Sequence, residues 1–201
     1  MIRRVTLAAA LLFGLAACSG VRETQPGRTA TEQLLFSVAA ERAADQLALE
    51  IPAGKKVFVD LSYIEGTDSK YLAGTIRDRI LRRGAAIVDV KEQAELVVEP
   101  RVGAISIDRN WTTLGTREFD LPVPLAGDLS VPEIAFYKRD TQQGVIKIAA
   151  TTYDRESGQL VQSLDPVYGF AHRTKWGLLL VVSWETNDLM PDGPKQDWVG
   201  H

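Results

Sequence analysis

The spacing of apolar positions divides the chain into elements. Val5 to Ala17 is an uncharged apolar run behind Arg3 and Arg4. Residues 19–28 are polar and broken by Pro26-Gly27. Leu34, Leu35, Val38, Ala39, Ala43 and Leu47 then recur at close to helical spacing. They predict an amphipathic helix over about 30–49, opened by Thr29 with Glu32 three places on, a capping-box signal, and stopped by Pro52-Ala53-Gly54. Lys56 to Ser62 is rich in β-branched and aromatic residues and predicts a strand. Leu72, Ile76 and Ile80 mark one face of a second helix, Tyr71 to Arg83, with Gly84 as its stop.

The second half predicts strands. Ala86 to Val90 is short, Glu92 to Glu95 turns the chain, and Leu96 to Asp108 is long but interrupted by Pro100 and Gly103. Arg109 to Leu129, with its glycines, prolines and threonines, predicts a long loop or an irregular hairpin insertion. Val131 to Lys138 and Val145 to Asp154 are strands, and Arg155-Glu156-Ser157-Gly158 turns into Gln159 to Leu164. Gly177 to Trp184 is the most apolar run after residue 17 and predicts a central strand buried on both faces. The polar end reads as a tail. These elements predict an α/β or α+β fold, a mixed sheet of about five to seven strands with two amphipathic helices packed on one side.

Composition alters the picture at one residue. Cys18 is the sole cysteine, and it ends Leu15-Ala16-Ala17-Cys18. A basic start, a short apolar core and small residues before a cut site mark a secretory signal. With a cysteine at the cut it resembles a bacterial lipoprotein signal. That resemblance implies a diacylglyceryl group on the Cys18 thiol, cleavage before Cys18, acylation of the new amine, and anchoring to a membrane through the acyl chains. Ser19 in place of aspartate favours the outer membrane, facing the periplasm, over the inner membrane. The thirteen residues are too few for a spanning helix, which needs about 20. The expected organisation is a signal peptide over 1–17, lipidated cysteine and tether over 18–28, one globular domain over 29–189, and a polar tail over 190–201.

The formal charge of −3 becomes −5 once Arg3 and Arg4 leave with the signal, which argues against a general nucleic-acid binder. A lipidated Cys18 leaves no thiol for a disulfide or a cysteine-built zinc site. No metalloprotease helix, phosphate loop, nucleophile elbow or dinucleotide fingerprint is present, so no catalytic residue, metal or cofactor is assigned. Candidate interaction residues are Trp111 and Arg117 in the 109–129 insertion and His172, Arg173 and Trp176 in the cluster His172-Arg173-Thr174-Lys175-Trp176. The cluster offers cations and a stacking ring to an anionic group, or is a solvated turn. Trp111 is either an interface anchor or a lid on the protein's own core. Arg77, Arg79, Arg82 and Arg83 on the second helix suit phosphate headgroups or plain solvation. Asp154 and Glu156 are a carboxylate pair at a turn, an ordinary place for charge.

Over Val57 to Ile107 the chain resembles the small α/β domains of outer-membrane lipoproteins of the TraT surface-exclusion and curli-secretion types. The likeness rests on Leu72-Ala73-Gly74-Thr75-Ile76-Arg77-Asp78, Arg83-Gly84 and Ala94 to Pro100. It is a packing pattern without a catalytic residue, and the apolar glycine-rich segment of the TraT type is missing. Over its whole length, through Thr31 to Leu35 and Ser183 to Leu189, the chain is similar to uncharacterised proteobacterial outer-membrane lipoproteins. The expected function is non-catalytic: a membrane-anchored lipoprotein binding a partner in the cell envelope, in an assembly or transport accessory role. A ligand- or lipid-binding accessory lipoprotein of a transport system is the alternative. A periplasmic hydrolase stands last, for want of a nucleophile–base pair. A deep apolar pocket favours the second and a flat apolar patch near Trp111 the first.

Overall fold

Thr29 starts the fold as its sequence predicts. Its hydroxyl accepts from the Glu32 N–H at 3.3 Å while its own N–H donates to the Glu32 carboxylate at 2.8 Å, a reciprocal cap on the first turn. The computed structural model describes residues 27–65, 69–116, 118–123, 127–131, 134–179 and 181–190, and residues 28–193 form one compact unit. The helix so opened, α1, spans Ala30–Gln46. It is followed by β1 (Lys56–Val59), α2 (Ser69–Arg82), β2 (Ala86–Ile87), a 3-10 turn at Lys91–Gln93, β3 (Leu96–Thr116), β4 (Phe119–Val123), β5 (Gly127–Val131), β6 (Ile134–Asp154), β7 (Leu160–Leu178) and β8 (Val182–Asn187).

Six strands form one mixed sheet in the order β2-β1-β3-β6-β7-β8. β1 runs parallel to β2 and β3, as the intervening α2 allows, and the remaining pairs are antiparallel. This is the α/β fold with a mixed sheet and two helices that the apolar spacing predicts. Both helices share one core with the sheet: Leu35, Ala39 and Ala43 of α1, Leu72, Ile76 and Ile80 of α2, and Val57, Val98, Ile146 and Ile148 of the strands. Two glycines let α1 lie close. A Cβ on Gly169 would sit 1.9 Å from the Ala39 carbonyl oxygen, and one on Gly144 would sit 2.6 Å from that of Leu35.

Arginines seal the seams. Arg42 of α1 donates to the Phe170 carbonyl at 2.6 Å, to Asp188 Oδ2 at 2.6 Å and to the Asp188 carbonyl at 2.8 Å. Arg83 donates to the carbonyls of Leu47 and Leu49 beyond the end of α1. Arg77 pairs with Asp89, Arg79 with Asp45 and Asp78, and Arg82 with Asp78. The four arginines assigned to phosphate headgroups or solvent thus all have partners within the chain. Asp154 shapes its turn, accepting from the backbone of Glu156 and Ser157. Those bonds, Ser157 foremost, hold its carboxyl below the usual range.

Three expectations are corrected. The stretch 109–129, expected as a long loop or an irregular hairpin insertion, is not a loop at its start: it continues β3 to Thr116, and its second half carries the β4–β5 hairpin. Pro100 and Gly103 do not interrupt β3: Pro100 is buried opposite Ala150, and Gly103 sits in a bulge between Val102 and Ala104. The run Gly177 to Trp184 is not a buried central strand. It ends β7, turns at Leu179, and begins the edge strand β8, with Leu178, Leu179, Val181 and Val182 exposed. Leu180 lies outside the described residues. Asn187 closes β8, Asp188 holds Arg42, and Leu189 is buried.

Candidate functional site

β3, β6, β7 and β8 run on together past the body, and cross-strand pairs share a face. On the face that carries α1, the rows of the body are Ile105, Ile146 and Gly169, then Ile107, Gly144 and Ala171. Farther out the same face turns polar. Arg109 grips Asp140 with two nitrogens at 2.9 and 2.5 Å, and Arg173 grips Glu185 with two at 2.7 Å. Each guanidinium holds its carboxylate below the usual range, against some burial.

The opposite face has no helix over it. Its rows are Asp108, Gln143 and His172; then Asn110, Thr141, Thr174 and Thr186; then Thr112, Arg139, Trp176 and Trp184; then Leu114, Tyr137, Leu178 and Val182. The Trp176 and Trp184 rings stack at 5.9 Å, 7° from parallel, and the Arg139 guanidinium lies 4.8 Å from the Trp176 ring centre. A shallow concavity of about 450 Å³ runs along β3 and β6, lined by Asp108, Asn110, Thr112, Arg139, Thr141 and Gln143. A second, of about 520 Å³, lies at Leu49 to Pro52 beside Arg83. Among the described residues no three of His, Cys, Asp and Glu converge as a metal site, and no helix is long and apolar enough to cross a membrane.

The structure separates the candidate residues. Alternation along β7 puts His172, Thr174 and Trp176 on the open face and Arg173 and Lys175 on the other, so the cluster neither is a turn nor presents its cations with its ring. His172 Nδ1 lies 2.9 Å from Asp188 Oδ2, and its N–H donates to Asp188 Oδ1 at 2.8 Å. Burial opposes the charge on Asp188, but the His172 N–H and Arg42 outweigh it and keep the carboxyl below its ordinary range. Trp111 stands on the α1-side face beyond the helix layer and is 63% exposed. It is no lid on the core. Cys18 and Arg117 lie outside the described residues, as do the signal segment, most of the tether and the stretch from 191 onward. Trp184 and Arg139 belong with Trp176 and were not singled out from sequence. The signal was there: Trp176 and Trp184 stand equally far from position 180, as facing residues of a hairpin do.

The model of DUF6655, a family of unknown function, matches residues 12–168, from before Cys18 to the middle of β7. No curated protein matches the chain.

Proposed function

The chain belongs to DUF6655, whose function is unknown, and from its own sequence and geometry we propose a non-catalytic lipoprotein of the bacterial envelope that binds a partner through the outer end of its sheet. Lipid on Cys18 holds it to a membrane, the outer membrane facing the periplasm. Two or more acyl chains on one residue anchor stably, whereas one binds only reversibly. In the β1-α2-β2-β3 segment, which carries the likeness to the TraT and curli-secretion lipoproteins, Leu72, Ala73, Ile76 and Leu96 to Val98 are buried, so the shared pattern is one of packing.

One observation carries the binding role. Large apolar side chains stand exposed at the outer end of the sheet, where no helix covers it: Leu114, Leu178 and Val182 share the open face, Leu179 and Val181 form the turn beyond them, and Trp111 stands on the other face. Clustered exposed apolar side chains mark interaction sites. They surround the outer end from both faces, and the two concavities lie open on the surface, which favours partner binding over a ligand pocket.

Two measurements test the reading. Cys18→Ser is expected to move the protein from the membrane to the soluble fraction, and wild type is expected to carry acyl mass on Cys18. A variant that stays in membranes, with no acyl mass on wild type, removes the anchor. A photocrosslinking residue at Trp111 is expected to yield adducts with envelope components in cells, with no adducts from the same residue at Ser157. Equal yields at both positions overturn the binding surface.

A further inference from the structure

We propose that the outer end of the sheet contacts phospholipid, with the β7–β8 turn entering the interfacial layer of a bilayer. The inference rests on the envelope reading above and names the chemistry its binding surface takes.

The turn itself is the first argument. Val181 is 85% exposed and Leu179 58%. Leu179 also adopts φ 52°, the left-handed region that glycine and asparagine enter at least cost and a bulky side chain enters under strain. A leucine held in that conformation with most of its surface in solvent gives the fold little packing. Its neighbours are apolar too: the Leu179 N–H donates to the Phe136 carbonyl at 2.9 Å, and Leu114 shares the row of Tyr137, Leu178 and Val182.

The second argument is the order of chemistry along the strands. Behind the aliphatic turn come Tyr137, Trp176 and Trp184, stacked or tilted against one another. Such rings concentrate where hydrocarbon meets headgroups. Cations stand among and just behind the rings: Lys138 one position from Tyr137, Arg139 beside Trp176, and Lys175 one row farther back on the other face, near Asp140 and Glu185. Long cationic side chains reach outward from apolar surroundings to phosphates. An aliphatic tip backed by aromatic rings and cations has the make-up of a surface that meets hydrocarbon and headgroups together. A protein partner fits it less well, since lysine is depleted at the cores of protein interfaces.

The test uses the full chain with Cys18→Ser, which leaves no native cysteine, and a single polarity-sensitive fluorophore at Val181→Cys. A second protein carries the label at Ser157→Cys, in the turn at the opposite end of β6 and β7. Each is mixed with phosphatidylcholine vesicles, with and without phosphatidylglycerol, and with brominated acyl chains. The label at 181 is expected to shift to the blue and be quenched by bromine, more strongly with phosphatidylglycerol, while the label at 157 does neither. Leu179→Asp is expected to weaken vesicle binding about tenfold with an unchanged melting temperature. No quenching at 181 in either vesicle overturns the proposal. So does equal quenching at 157, which means that residues 5–17 alone carry the chain into lipid. A blue shift without vesicles that grows with protein concentration also overturns it, since a second copy then covers the turn. Loss of the Cys18 anchor in the fractionation experiment, with quenching at 181 intact, would fall on the anchor reading alone.

Discussion

Gly169 shows how much one missing Cβ decides. The Ala39 carbonyl and the Ala43 N–H of α1 come within 1.9 and 2.6 Å of where a Cβ would stand. Gly169→Ala must push α1 off the sheet, and a loss of about 1–3 kcal/mol or more is expected in denaturant unfolding. Gly74, on the open side of α2, meets nothing within 4 Å. Gly74→Ala is therefore expected to raise stability, by about 0.5–1 kcal/mol. Trp111→Ala is expected to leave the melting temperature nearly unchanged, because the ring lies mostly in solvent. A loss of about 3–5 kcal/mol would instead mean a core residue. Sequence alone left anchor and lid open for Trp111. Which face a strand residue occupies depends on where the helix layer ends, and nothing near residue 111 records that.

At the scale of elements, β8 is held to β7 by the Arg173–Glu185 pair. The folded protein keeps the Glu185 carboxyl below its ordinary value. The pair's contribution is therefore complete above the unfolded value of about 4.3 and is lost as pH falls through the lower folded value. Glu185→Gln is expected to lower the melting temperature at neutral pH by at most about 2–4 °C. The gap to wild type should close as the pH falls below about 4. A gap that persists in acid means that the side chain acts by shape and not by charge. The helices were legible because their faces are one-sided: Thr29 and Glu32 cap, and Leu72, Ile76 and Ile80 recur at four. Arg109 to Thr116, Arg139 to Gly144 and Asp165 to Trp176 were not. Their apolar positions do not alternate: glycine and alanine stand where α1 packs on β7, and beyond Ala171 polar side chains occupy both faces. Gly177 to Trp184 misled for the converse reason. Unbroken apolarity is the mark of a buried strand, and here it belongs to an exposed turn.

Across the whole molecule, what sequence made plain was the class of fold and the one core, since both follow from local periodicity. The site was split between the two ends of what sequence can show. Cys18 is proposed from its sequence neighbours alone, whereas the row Arg139, Trp176 and Trp184 exists only once three strands are in register. Order of appearance during synthesis follows from the same register. α1 leaves the ribosome first, yet the glycine it rests on at Gly144 is 98 residues beyond Gln46, and the partner of Arg42 is 146 residues away. At about 5–20 residues per second the helix waits roughly 5–20 s for β6 alone. Through that interval Leu35, Phe36 and Leu47 have no sheet to cover them. The nascent chain therefore stays unfolded and open to a holding chaperone until nearly its last residues are made.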